Sequence, residues 1–142
     1  MGYTVQRVDT WVGEIEDKPG ALAAKLEALA AAGASLEFAI ARRAPDKPGT
    51  GVVFLAPIKG ARALKTAAAA GLCKAANLHT VRIEGPDRKG LGAAITRAVA
   101  DAGLNLRGFS AAAIGKKAVI YLALDTTQAA SKAAAAIRKA LK

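Results

Sequence analysis

Cysteine, histidine and aromatic residues are scarce in this chain, and each shortage removes a class of function. The 142 residues include one cysteine and one histidine. Cys73 therefore has no partner for an intramolecular disulfide, and His79 has no second imidazole with which to hold a metal or haem. No metal and no cofactor are expected, and a cytoplasmic setting suits the lone thiol. The parts of a nucleophile and base pair are missing too. His79 reads as a satisfied structural histidine, and Cys73, at the start of a strand, reads as a small buried apolar residue. The chain is expected not to be an enzyme. Long apolar runs are also lacking: Ala67 to Ala70 and Ala133 to Ala136 fall far below the ~20 residues of a membrane span. Arg7, Asp9, Glu14, Glu16, Asp17 and Lys18 interrupt any signal-peptide core near the N-terminus, so neither membrane insertion nor export is expected.

Acidic residues number 11 against 21 lysines and arginines, a net charge of +10. Such a balance attracts polyanions by counterion release. Aromatics, however, make up only 4% of the chain. RNA-recognition modules stack bases on several aromatic side chains of their central strands. Here Phe54 and Tyr121 fall on third strands and Trp11 on a first strand, positions that core packing accounts for. The lysines are spread over helices as a solvated face. Nucleic acid is a possible partner but not the favoured one.

What is abundant is apolar residue, 53% of the chain, much of it alanine, and it is organised by a repeat. An offset of 70 residues lays Thr10, Glu14, Asp17, Gly20, Gly33 and Leu36 over Thr80, Glu84, Asp87, Gly90, Gly103 and Leu106 without a gap. Missing such a repeat would mistake the whole architecture. Trp11 and Ile15, like Val81 and Ile83, alternate with polar neighbours at the period of a strand with one buried face. Leu22, Leu26 and Leu29 in one half, and Leu91, Ile95 and Val99 in the other, recur at helical spacing. Gly33 and Gly103 should end these helices.

Two apolar stretches joined by turn residues follow in each half, Leu36–Arg42 with Val52–Leu55 and Leu106–Ile114 with Val119–Leu124, and these read as hairpins. A second helix comes next, about Lys59–Ala70 with Leu64 inward, and about Thr127–Leu141 with Ile137 and Leu141 inward and Thr126 as its cap. Cys73–Leu78 supplies a last strand to the first half. The second half has no such segment after its helix, and at the same offset residues 3–8 overlie 73–78. The N-terminal strand is therefore expected to complete the second module, from the same chain or from a partner.

The expected fold class is α+β: two ferredoxin-like βαββαβ modules, each an antiparallel sheet with helices on one face. The expected domains are 1–76 and 77–142, with strand 3–8 contributed to the second. The third strands are apolar on both faces, which suits sheets covered on both sides and points to an oligomer, by default a homodimer.

The loop Asp17, Lys18, Pro19, Gly20, Ala21, Leu22 joins a strand to a helix. Pro19 suits a first helical turn, and Gly20 lets a ligand approach the backbone. Free amides at the helix start favour a carboxylate, and the Asp17 side chain could receive an ammonium group. Together they describe a free amino acid, although the same residues would also serve as a plain cap and turn. Asp87, Arg88, Lys89, Gly90 and Leu91 form the corresponding loop, with lysine in place of proline and Gly92 in place of Leu22.

The runs Glu14 to Leu22 and Ala32 to Glu37, repeated as Asp87 to Leu91 and Ala102 to Leu106, resemble ACT domains. The two matches cover nearly the whole chain, as a free-standing pair. The resemblance implies a regulatory protein binding small ligands, usually amino acids, between paired modules. Asp17, Lys18, Pro19, Gly20, Ala21 and Leu22, or Asp87, Arg88, Gly90 and Leu91, would meet Glu37 and Phe38, or Asn105 and Leu106, of a neighbouring module. An effector enzyme or regulator protein would read the bound state. Tandem proteins of this size also resemble glycine cleavage transcriptional repressors, and the alternative reading is accordingly a basic nucleic-acid-binding or transcription-regulatory protein.

Overall fold

Alternating apolar and polar residues give each first strand one buried face, and the computed structural model shows what those faces bury. It describes residues 2–76 and 78–142. Two compact units divide the chain: Asp9–Ala75, and Met1–Val8 together with Ala76–Lys142. The element order is β1 (Thr4–Val8), β2 (Trp11–Glu16), α1 (Ala21–Ala31), β3 (Phe38–Arg43), β4 (Thr50–Ala56), α2 (Ala61–Ala69), β5 (Cys73–Lys74), β6 (His79–Pro86), α3 (Leu91–Asp101), β7 (Gly108–Ile114), β8 (Lys117–Leu124) and α4 (Thr127–Ala140). Each unit contains one four-stranded antiparallel sheet, β3-β4-β2-β5 in the first and β1-β6-β8-β7 in the second. This is the ferredoxin-like order, present twice.

The N-terminal strand completes the second sheet from within the chain. β1 runs antiparallel to β6 from Thr4 opposite Glu84 to Val8 opposite Thr80. Val5 joins the core made by Val81, Ile83, Leu91, Ile95, Val99, Ile120, Leu122, Leu124 and Ile137. The Arg138 guanidinium donates to the Val5 carbonyl at 2.7 Å, and the Tyr3 hydroxyl donates to the Pro86 carbonyl at 2.7 Å. Gly33 and Gly103, both at positive φ, follow α1 and α3 as their conformational freedom requires. The Thr126 hydroxyl accepts from the Ala129 amide at 3.0 Å and caps α4.

The first unit has the smaller cluster of buried residues: Trp11, Leu29, Val53, Leu55, Ile58, Ala63, Ala67 and Leu72. Two expectations are corrected here. Leu64 is 43% exposed, and Ala63 and Ala67 face the core instead. Alanines four residues apart form a flat stripe that lets α2 approach closely, and the leucine falls on the outer side. The Lys25 ammonium donates to the Ala70 carbonyl at 2.6 Å, satisfying the end of α2 where a cation is favoured. Cys73 is exposed rather than buried. Its strand is only two residues long, with Cys73 opposite Val12 and Lys74 opposite Trp11. The expected strand over residues 73–78 crosses Asn77, which lies outside the described residues.

Strand register also separates the aromatics. Trp11 lies opposite Leu55 on the helix-covered face, whereas Phe54 is opposite Val12 and Tyr121 opposite Arg82, on the faces turned away from the helices. Trp11 belongs to the helix-covered core of the first unit, Tyr121 is buried as well but on the other face of its sheet, and Phe54 is half-buried. The Arg82 guanidinium lies over the Tyr121 ring, 5.8 Å from its centroid, and its Nε donates to the Tyr121 hydroxyl at 3.0 Å. Arg82 also pairs with Glu84 at 2.8 Å, and Lys117 reaches Glu84 at 3.5 Å.

The hydrogen bond and charge of Arg82 hold the Glu84 carboxyl below the ordinary carboxylate range. A lowered folded-state value contributes stability that is present above the unfolded carboxylate's pKa and lost as pH falls through the folded one. Glu84→Gln should therefore lower Tm at neutral pH, and the difference from the native chain should close in acid. A pH series of thermal melts checks this, and a gap constant with pH would refute it.

Candidate functional site

Each first helix begins at a glycine in the left-handed region, Gly20 at φ 86° and Gly90 at φ 82°, and neither start carries a side-chain cap. The Ala21 amide donates to the Lys18 carbonyl at 3.3 Å and the Leu91 amide to the Arg88 carbonyl at 3.2 Å, while the helical ladder starts with Ala24 on Gly20 and Ala94 on Gly90. The intervening amides, Leu22 and Ala23 in one helix and Gly92 and Ala93 in the other, have no acceptor among the described residues. Two pairs of N–H groups at the positive end of a helix dipole are thus open to an anion. A backbone amide of each loop bonds to the hairpin turn beside it: Asp17 donates to the Gly49 carbonyl at 3.1 Å, and Asp87 to the Lys116 carbonyl at 2.8 Å.

The two loops differ in their charged groups. Asp17 Oδ2 accepts from Arg43 Nε at 2.9 Å, so this carboxylate already has a cation beside it. Lys18 pairs with Glu16 at 2.9 Å, and Lys47 with Glu14 at 2.8 Å, whose hydrogen bond raises the lysine above its usual range. The Asp87 carboxylate has no ion pair among the described residues, and it stands exposed with Arg88 and Lys89. Pro19, Gly20, Asp17 and Lys18 are exposed, whereas Ala21 and Leu22 are half-buried and Leu91 is buried in the second core.

The other expected residues do not meet these loops within a module. Glu16, at the end leading into the first loop, lies opposite Thr50, whereas Phe38 lies opposite Ala56 at the far end of the sheet. The Glu37 amide donates to the Ala56 carbonyl at 2.9 Å, which places it at that same end. Asn105 is exposed, and Leu106 is packed against the second core before β7 begins.

Two residues that sequence reasoning left out bear on the site. Arg43 reaches Asp17 from the end of β3, a pairing across 26 positions that no local motif signals. The Phe109 ring lies 3.6 Å from the place a Cβ on Gly92 would take, close over the start of α3. At the repeat offset Leu22 corresponds to Gly92 and Ala39 to Phe109, so a large and a small residue exchange sides. Reading the repeat for such reversals would have found Phe109.

The described residues include no helix long and apolar enough to cross a membrane. A model of the ACT domain family matches residues 79–142. The second module is an ACT domain. No curated protein matches the chain in sequence. Among solved structures, the ligand-free regulatory subunit of aspartate kinase from Thermus thermophilus superposes with a TM-score of 0.70 at 20% identity, over 100% of this chain and 98% of that one. Protein BT0572 from Bacteroides thetaiotaomicron gives 0.75 at 14% identity, over 91% and 87%. The E. coli aspartokinase III complex with lysine and aspartate gives 0.57 at 12% identity, over 99% of this chain and 33% of that one. Beside its ACT domain, the chain thus carries a first module of the same ACT-like fold.

Proposed function

We propose that this chain is a regulatory protein that takes a free amino acid at its strand-to-helix loops and has no catalytic activity of its own. The observation that carries this reading is the paired open amides of Leu22 and Ala23, and of Gly92 and Ala93, each set beside an aspartate one turn upstream. The amides would take the ligand's carboxylate and Asp17 or Asp87 its ammonium group, with Arg43 a further carboxylate partner in the first module. Glu37, Phe38, Asn105 and Leu106 lie away from these loops within their own modules. They would contribute only across a seam between modules, and a homodimer would supply such seams. The aspartokinase complex with lysine and aspartate supports an amino acid as the ligand class. The regulatory subunit from Thermus thermophilus supports an effector enzyme as the partner.

A thermal-shift screen of the twenty amino acids at millimolar concentration tests the reading. A ligand present at 100 times its Kd stabilises the folded state by about 2.7 kcal/mol, a shift of several degrees. One amino acid, or a related pair, should raise Tm, and the double substitution Asp17→Ala with Asp87→Ala should abolish the response. A flat screen overturns the amino-acid reading. Steep, salt-sensitive retention on heparin beside it would favour nucleic acid instead.

A further inference from the structure

Charge divides unequally between the two units. The second, Met1–Val8 with Ala76–Lys142, holds 12 of the 21 lysines and arginines but four of the 11 acidic residues, a net +8 against +2 in the first. Many of its cations gather at one end of the sheet. Arg88 and Lys89 stand in the loop between β6 and α3, and Lys116 and Lys117 lie beside it at the β7–β8 turn, where the Asp87 amide bonds to the Lys116 carbonyl and Pro86 lies opposite Lys117. α4 starts where β8 ends and runs back along the sheet, its Arg138 reaching the carbonyl of Val5, opposite Ile83. The last turn of α4, with Lys139, therefore comes out at the same end.

These five residues are exposed, and among the described residues Lys117 alone of them has an ion pair, with Glu84 at 3.5 Å. Two carboxylates stand against them, Asp87 and Glu84, the latter already paired with Arg82. Toward the other end of the unit cations are matched, Arg97 with Asp101 and Arg107 with Asp125. The first module shows the same end in balance: Lys18 pairs with Glu16, Arg43 with Asp17 and Lys47 with Glu14. At the repeat offset Glu16 gives way to Pro86 and Pro19 to Lys89, and beyond the shortened turn Gly49 and Thr50 give way to Lys116 and Lys117. The second copy has thus lost acid and gained base around one loop.

We infer that this end of the second module is a docking surface for the phosphate backbone of double-stranded nucleic acid, bound without regard to sequence. Crowded like charges repel one another until a polyanion relieves them, and release of its condensed counterions drives the binding. Packed layers lie about 10 Å apart, so cations on the sheet and on α4 span roughly three phosphates of one strand at about 3.4 Å of rise each. Lysine supplies four of the five charges. It binds phosphate as a point charge but is depleted in protein–protein interfaces, which favours a phosphate backbone over an acidic protein. Single strands are held by stacking on aromatic rings. Tyr3, the aromatic at this end, is half-buried with its ring over Gly85 and its hydroxyl on the Pro86 carbonyl. Contact through duplex phosphates needs no ring.

This surface goes beyond the amino-acid reading and is measured by duplex affinity rather than by Tm, so either can fail alone. Arg88, which the two share, is left in place in the test. The native chain should bind a short random-sequence DNA duplex, with log K falling by roughly 3.6 to 4.5 per decade of salt for four or five phosphate contacts. Lys89→Gln, Lys116→Gln and Lys139→Gln together should weaken binding about tenfold or more at low salt and make that slope shallower by about 3. Removing the same charge from the first module, by Lys59→Gln, Arg62→Gln and Lys65→Gln, should leave the slope nearly unchanged. All six positions are exposed, and circular dichroism of both variants should match the native chain. A native chain that ignores the duplex at low salt overturns the inference. So do equal losses in the two triple variants, tighter binding to a single strand of the same sequence, or phosphatidylserine vesicles bound as tightly and through the same three lysines.

Discussion

A chain lacking residues 2–8 is expected to lose the fold of its second module. The strand supplies backbone pairing to β6 from Thr4 to Val8, the buried Val5 side chain, the Tyr3 hydroxyl bond to Pro86 and the carbonyl that Arg138 holds. Net contributions of about 1 kcal/mol per hydrogen bond and about 1.5–3 kcal/mol for a buried valine sum to roughly 5 kcal/mol or more. A unit of roughly 75 residues has about 4–11 kcal/mol of total stability. The deletion also strips one edge from β6, whose Val81 and Ile83 are fully buried, and leaves Arg138 without its acceptor. The measurement is a two-dimensional NMR spectrum of the shortened chain, in which dispersed signals from residues 79–142 should collapse. Addition of a peptide of residues 2–8 should restore them, because the missing part is an extended strand with a fixed register. Retained dispersion without the peptide would show that the strand is dispensable.

That strand was legible because the repeat supplied a template: residues 3–8 overlay the segment that closes the first module. The helix ends were legible for a local reason, since Gly33 and Gly103 adopt a backbone region that other residues avoid. What escaped depends on contacts that neither periodicity nor spacing encodes. Leu64 was assigned inward because leucine outranks alanine in any apolar count, yet the close approach of α2 puts Ala63 and Ala67 at the core. Phe54 and Tyr121 are aromatic in strands apolar on both faces, so alternation could not say which face holds them. At the site, the loop glycines and the open amides follow from chain-local chemistry and were foreseen. The Asp17 to Arg43 pair and the Phe109 ring over Gly92 come from the fold bringing β3 and β7 beside the helix starts. A repeat predicts equivalence, and the second of these contacts is where its two copies diverge.

The same logic isolates one glycine whose replacement should be costly. Gly85 corresponds to Ile15 at the repeat offset, so a large apolar residue is tolerated at this strand position in the first module. In the second, a Cβ on Gly85 would run into the Tyr3 ring, meeting Cδ1 and Cε1, and would lie 3.0 Å from the Gly2 carbonyl oxygen. The bare glycine surface is what admits the ring, and the ring's hydroxyl is what reaches Pro86. Gly85→Ala should therefore destabilise the second module by about 1–3 kcal/mol, the usual cost of overpacking, despite alanine's advantage over glycine in a strand. Tyr3→Ala should destabilise it as well, by loss of ring burial and of the hydrogen bond. Combined, the two should cost less than their sum by about 1–3 kcal/mol, since the second alanine enters space the first has vacated. Denaturant unfolding of the four proteins gives the coupling directly. Additive effects would mean that the N-terminal residues yield freely around a side chain at 85, and that β1 is held by its backbone ladder and Val5 rather than by the tyrosine clasp.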